Sequence, residues 1–154
     1  MSFYSEISRD EFFMREALSE ARLAENFGEV PVGAVIVCDG EIIARAHNMR
    51  ETEGNAVCHA ELIAISEACR KKGGWRLSDC TLYVTLEPCP MCAGAVINSR
   101  IPLVVYGAKD ARAGVLGSLV ALQNYPFNHR PCVRGGVLRS ECAEILRVFF
   151  EKRR

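Results

Sequence analysis

His59-Ala-Glu61 and, further along the chain, Pro88-Cys89-Pro-Met-Cys92 bring together the residue types of one kind of chemistry. One imidazole and two thiolates supply three ligands of a tetrahedral zinc and leave the fourth position open, as in a catalytic rather than a closed structural site. Two cysteines spaced by two residues at a helix start turn towards one point, where the helix N-terminus favours their thiolate forms. Zinc lowers the pKa of bound water to about 7, which makes a hydrolytic nucleophile available at neutral pH. Glu61 follows His59 by two positions, so its carboxylate can reach that water without being a ligand. It would take a proton as general base and return it as general acid to a ring nitrogen and then to departing ammonia. The chemistry expected of these residues is hydrolytic deamination.

Each part has a plainer reading by itself. A Cys-x-x-Cys pair can be a redox couple, and a single histidine on a helix can be a core residue. The combination of His-x-Glu with Pro-Cys-x-x-Cys is the recognised signature of zinc nucleobase deaminases, so this assignment follows a known pattern and is not a deduction from spacing alone.

The elements that must position these groups can be read from pattern. Ser8-Arg-Asp-Glu11 is a capping box opening a helix to Asn26, in which Phe13, Ala17, Ala21 and Ala24 recur at helical spacing, and Gly28 stops it. Val32 to Cys38 and Glu41 to Ala46 are β-like runs around Asp39-Gly40, the dipeptide of a tight hairpin. A helix is expected from Ala56 to Lys71, with Gly73-Gly74 as its stop. Thr81 to Leu86, Cys89 to Asn98 and Pro102 to Tyr106 read as strand, helix and strand, a βαβ unit that sets two strands parallel. Gly107 to Gly117 is expected to be a loop leading into a helix through Leu122, and a final helix begins near Ser140. The sum is a three-layer α/β domain spanning residues 1–154. His59, early in its helix, and Cys89 then meet near the ends of the parallel strands, where open α/β sheets place their sites.

Composition bounds the rest. The chain has 154 residues, 49% apolar and 25% charged, with a formal net charge of +0, the balance of an ordered globular protein. No apolar run approaches the roughly 20 residues of a membrane helix, and acidic residues interrupt the stretch from Met1 to Arg22, so no secretory signal is expected and the protein reads as cytoplasmic. In a reducing compartment eight cysteines are thiols or metal ligands, and Cys38, Cys58, Cys69, Cys80, Cys132 and Cys142 read as small core residues. Charge is uneven: Met1 to Cys69 carries 13 acidic and 5 basic residues, Arg70 to Arg154 carries 6 acidic and 14 basic. The two halves either neutralise each other on folding or leave a basic face for a polyanion.

The chain resembles the bacterial tRNA-specific adenosine deaminases of the cytidine and deoxycytidylate deaminase superfamily, from the first helix to Arg154. The resemblance rests on the zinc signature and on Glu29-Val-Pro-Val-Gly-Ala-Val35, His47-Asn48, Thr81-Leu-Tyr-Val-Thr-Leu-Glu-Pro-Cys89, Met91-Cys-Ala-Gly94, Ser99-Arg-Ile101, Gly107-Ala-Lys-Asp110, Gly117-Ser-Leu119, Asn128-His-Arg130 and Phe149-Phe150. It implies a cytidine-deaminase-like fold with a central mixed sheet between helices, one zinc per subunit, a homodimer, and a tRNA anticodon stem-loop whose wobble adenosine becomes inosine. By the same resemblance His59, Cys89 and Cys92 bind zinc and Glu61 shuttles protons. Asn48 hydrogen-bonds the flipped base, Val30 is an apolar wall, and Ala108 and Asp110 lie beside the substrate nucleotide. Asn48 also reads as a turn residue at a strand end and Asp110 as a helix N-cap.

Phe149 and Phe150 read either as packing the last helix or as stacking on an unpaired base; the helical stripe favours packing for Phe149 and leaves Phe150 open between the two. The basic ends Arg70-Lys71-Lys72 and Lys152-Arg153-Arg154 read either as phosphate contacts or as solvated helix ends. His129 and Arg130 have no derivable role. The chain departs from the family in Asn55-Ala-Val-Cys58, where Pro-Thr-Ala usually precedes His-Ala-Glu, and in Arg112, where a lysine is usual. Cys58 adjoins His59, but successive helical residues point about 100° apart, so packing is expected of it and not ligation. Two other readings share parts of this pattern: a deaminase of a free base or nucleoside such as guanine or cytosine, and a non-catalytic zinc module that binds RNA.

Overall fold

The computed structural model describes residues 3–153, with side chains from Arg9 onward. Five strands, β1 (Gly33–Cys38), β2 (Glu41–His47), β3 (Cys80–Leu86), β4 (Leu103–Ala108) and β5 (Cys132–Gly135), form one sheet in the order β2-β1-β3-β4-β5. The pairings of β1 with β2 and β3 are antiparallel, and those of β4 with β3 and β5 are parallel. The expected central mixed sheet is therefore present. The hairpin turns on Asp39 and Gly40, both with positive φ (53° and 77°), as a two-residue turn matched to strand twist requires.

Helices cover both faces. α1 (Phe3–Asn26) and α4 (Arg139–Glu151) pack on one side, α2 (Ala60–Lys72) and α3 (Pro90–Ser99) on the other. The period of two in a strand divides the core between them. Ala34, Ile36, Leu82 and Val84 face α2 and α3, while Val35, Val37 and Tyr83 face α1. β1 is buried along its whole length, which is why it reads as one continuous apolar run. α1 approaches β1 so closely that a Cβ on Gly33 would run into the backbone of Ala17 and Ala21, and the small-residue stripe of α1 serves that approach.

One buried polar link ties three elements together. Asp10 of α1, 4% exposed, accepts a hydrogen bond from the Tyr83 hydroxyl of β3 at 2.8 Å and from Arg134 Nε and Nη2 of β5 at 2.9 and 3.1 Å. A buried carboxylate is stable only when so satisfied.

Several expected boundaries move. α1 begins at Phe3, because no breaker stands between Phe3 and Ser8; Ser8 thus lies inside the helix rather than at its cap, and the Ser8 side chain of the expected capping box lies outside the described residues. β5 was not expected, and the expected helix reaching Leu122 is replaced by turns and one 3-10 turn at Leu122–Asn124. α2 starts at Ala60, not Ala56, because residues 49–58 form a chain of turns. Of the six cysteines read as core, Cys38, Cys80 and Cys142 are buried, Cys58 and Cys69 partly so, and Cys132 is exposed on the edge strand β5. Among the described residues no helix is long and apolar enough to cross a membrane.

Candidate active site

His59 and Cys89 are N-cap residues, one for α2 and one for α3, each with extended backbone (φ −80°, ψ 151° and φ −79°, ψ 174°). Neither is inside its helix, as the sequence pattern had placed them. Pro90 opens α3, where its missing N–H removes no helical bond. Cys92 then lies within the first turn and turns back towards the cap. His59 Nδ1 is 3.6 Å from Cys89 Sγ and 3.6 Å from Cys92 Sγ. Nitrogen and sulfur ligands on a tetrahedral zinc, with bonds of about 2.0 and 2.3 Å, stand roughly 3.5 Å apart, so the donor set fits that metal in chemistry and in spacing.

Charge favours the same arrangement. Hydrogen bonds with the Cys92 thiol and His59 outweigh burial and lower the Cys89 thiol to about 4, so Cys89 is the thiolate of the pair. Cys92 is held protonated by that bond and by burial until a metal displaces the proton. The hydrogen bond to Cys89 raises His59, against burial. Glu61, in the first turn of α2 and 4% exposed, is pushed up to about 7 by burial, against a bond from its own backbone N–H and with the Cys89 charge adding. A carboxyl there can both take and give a proton near neutral pH.

His59, Glu61 and Cys89 line a cleft of about 220 Å³ together with Val30, Val32, Asn48, Arg50, Leu86, Glu87, Asp110 and Ala113, and Cys92 is buried beneath it. Asn48 makes the turn contact expected of it and also lines the cleft. Its Oδ1 accepts a bond from Arg50 N at 3.1 Å, as in a turn, and its Nδ2 donates to Val30 O at 3.3 Å, while the residue faces the cleft. Asp110 Oδ1 accepts from the N–H groups of Arg112 and Ala113 at 3.0 and 3.1 Å, so it caps a turn and not a helix. Ala108, expected beside the substrate nucleotide, is buried with the α1 and α4 layer at the end of β4, where its carbonyl accepts the Glu87 N–H at 2.9 Å, and it is not among the residues that line this cleft. A shallower hollow of about 680 Å³ between α2 and β2 is edged by Cys58 and holds none of the ligand set.

Two buried carboxylates that the sequence did not mark shape the cleft walls. Glu29, 1% exposed, accepts bonds from Glu51 N at 3.0 Å and from the Thr52 N–H and hydroxyl, which fixes the turns leading to His59. Glu87, 2% exposed, accepts from the N–H groups of Asp110, Leu116 and Ser118 at 3.1, 3.0 and 3.0 Å, and from the Ser118 hydroxyl. It pins the loop that carries Asp110 beside the residue preceding the cysteine helix. The only signal in the sequence was their place in Glu29-Val-Pro-Val and Leu-Glu87-Pro-Cys. Arg50, exposed at the rim, was also unmarked.

The outlying residues divide. Phe149 is buried, with the Arg153 guanidinium 4.3 Å from its ring centre, and Phe150 is exposed. Arg153 also donates to Gly28 O at 2.7 Å, and Arg154 lies outside the described residues. Arg70 and Lys71 pair with Glu67, and Lys72 with Asp79, at the end of α2 remote from His59, so this run is not turned to a ligand in the cleft. His129 Nε2 donates to Ile101 O at 2.7 Å, which ties the segment before β5 to the start of β4.

A mixed sheet between two helical layers, with a His, Cys, Cys ligand set at two helix N-termini and a buried carboxyl beside it, defines the zinc-dependent deaminase class. Residues 7–108 match the model of the cytidine and deoxycytidylate deaminase zinc-binding region, and the chain belongs to that family. It is 55% identical over 149 residues to the tRNA-specific adenosine deaminase of Bacillus subtilis, covering 96% of this chain and 92% of that protein. A solved structure from work on A-to-I editing by tRNA:A34 deaminases at the wobble position superposes with a TM-score of 0.85 at 46% identity, over 88% of this chain and 99% of that one. The guanine deaminase of Bacillus subtilis superposes with a TM-score of 0.62 at 44% identity, over 64% of each chain.

Proposed function

We propose that this protein deaminates the wobble adenosine of a tRNA anticodon loop to inosine by hydrolysis, with release of ammonia. The observation that carries the reading is the meeting of His59, Cys89 and Cys92 in one group at ligand spacing, with His59, Cys89 and the buried Glu61 lining one cleft. The choice of tRNA over a free base is supported by identity, 55% to a tRNA-specific adenosine deaminase over 96% of this chain, against 26% to a guanine deaminase of Nitrosomonas europaea that superposes over 90% of it and 44% to another over 64%.

His59, Cys89 and Cys92 would hold one catalytic zinc per subunit, and zinc in such a set supplies Lewis acidity and a hydrolytic nucleophile near neutral pH. Glu61 takes one proton from the attacking water and gives it to the ring nitrogen, which keeps it in inosine. It then carries the remaining proton of the new hydroxyl to the amine as the C–N bond breaks, the carbonyl forms and ammonia leaves. Asn48, already oriented by Val30 O and Arg50 N, presents its amide to the edge of a base drawn out of its stack, and Val30 offers an apolar wall. Asp110 lines the same cleft as Asn48, on the loop that Glu87 holds. Residues 1–154 act as one deaminase domain, working in the cytoplasm as a homodimer on the anticodon stem-loop.

The test incubates zinc-loaded protein separately with an anticodon stem-loop bearing a wobble adenosine and with guanine, cytosine and free nucleosides, and reads the products by mass spectrometry. Inosine formed in the stem-loop alone is expected. Turnover of a free base alone overturns the tRNA reading, and RNA binding without turnover of any substrate overturns the enzymatic one.

A further inference from the structure

A second group of metal-ligating side chains meets at the opposite end of the sheet from the cleft. Cys38, the last residue of β1, stands directly across the antiparallel ladder from Cys80, the first residue of β3. Asp79 precedes Cys80. Cys38 Sγ is 3.1 Å from Asp79 Oδ2 and Cys80 Sγ is 3.5 Å from Asp79 Oδ1, and one ligand atom from each of the three lies within 4.8 Å of the others. Both thiols are buried, while the Asp79 side chain is 47% exposed and opens a route from solvent. Deamination uses none of these residues.

We propose that Cys38, Asp79 and Cys80 form a second divalent-cation site, for zinc or a similarly thiophilic metal. The spacing is near the roughly 3.5 Å expected between ligands of a tetrahedral zinc, and two thiolates with one carboxylate suit that ion. Such a complex carries one excess negative charge. Lys72 Nζ, 2.6 Å from Asp79 Oδ2 and 3.5 Å from Cys38 Sγ, supplies the balancing cation and a hydrogen bond to a ligand sulfur.

The alternative use of this pair, as a thiol switch, is disfavoured by the same surroundings. The bond to Asp79 and burial raise the Cys38 thiol, and burial pushes Cys80 up to about 12, so neither is a ready thiolate for oxidation. A bound metal removes the thiol protons outright. The site lies one strand length from Cys89, roughly 20 Å at about 3.3 Å per residue. A metal there joins β1 to β3 and, through Lys72, anchors the C-terminal end of the helix whose N-terminal end carries His59. Its role is a staple that holds the catalytic helix, without part in the chemistry.

The test loads metal-free protein with zinc, removes the excess, and counts metal per chain by elemental mass spectrometry. Wild type is expected to retain a second equivalent. His59→Ala loses the catalytic equivalent and keeps the other. Cys38→Ser with Cys80→Ser, and separately Asp79→Ala, lose the second equivalent; Asp79→Ala is an exposed change that leaves the core intact and keeps deaminase activity. Titration with cadmium adds a direct readout, because thiolate-to-metal absorption grows through the second equivalent in wild type and stops after the first in the Cys38/Cys80 variant. A single equivalent in wild type, or a second one that survives both sets of substitutions, overturns the proposal. So does a Cys38 to Cys80 disulfide in protein purified without reductant.

Discussion

The Glu87 carboxylate fills the space that any side chain on Gly114 would need, and the Asp110 carbonyl crowds the same space. The loop from Asp110 to Ser118 is wrapped around one buried carboxylate, which receives three of its N–H groups and a hydroxyl. Gly114→Ala should therefore displace the loop without touching a metal ligand. The expected cost is about 1–3 kcal/mol of stability, as for overpacking elsewhere. Lower kcat/KM on the stem-loop with unchanged zinc content is expected as well. Thermal melts, metal analysis and steady-state rates check this, and a variant equal to wild type in melting and turnover would refute the clamp.

Glu29 gives the fold a dependence on acid. Burial raises its pKa, but hydrogen bonds from Thr52 and Glu51 N–H, with the Arg50 charge, more than reverse this and leave it below the ordinary 4.5. A group with a depressed folded pKa adds stability above its unfolded value, and that stability is lost as pH falls through the lowered one. Wild type should thus lose stability on acidification below 4.5. Glu29→Gln should be less stable at neutral pH yet decline less steeply with acid. Melting curves from neutral to acidic pH would show this, and parallel curves would count against it.

Arg50 stands at the cleft rim, half of its side chain exposed and 3.8 Å from Glu51, a weak surface pair that leaves its charge available to a phosphate. Arg50→Ala should raise KM for the stem-loop with little change in kcat, and reduce the slope of log(kcat/KM) against log salt by roughly 0.7, the contribution of one phosphate contact on a single strand. An unchanged slope would place Arg50 outside the RNA path.

The residues proposed to do chemistry were legible because few other demands put His-x-Glu and Pro-Cys-x-x-Cys in one chain. The sheet core was legible for a similar reason: β1, buried on both faces, can only be apolar. β5 was not, because Cys132-Val-Arg-Gly135 is too short to show alternation and becomes a strand only by pairing with β4 and by the bond from Arg134 to Asp10. The missing helix before Leu122 has a related cause. Its N–H groups at Leu116 and Ser118 are spent on Glu87, a partner distant in sequence. Glu29 and Glu87 look like any surface acid in a sequence, and their burial follows from loops closing over them.

The most direct measurement runs the stem-loop reaction in heavy-oxygen water with zinc-loaded wild type and with Glu61→Gln, reading the inosine mass. Hydrolysis with Glu61 as proton carrier predicts one heavy oxygen in every inosine formed by wild type. It also predicts a rate lower by on the order of 10²–10⁴ in Glu61→Gln at equal zinc content. Inosine without the label, or a Glu61→Gln variant that turns over as fast as wild type while holding its zinc, would contradict it.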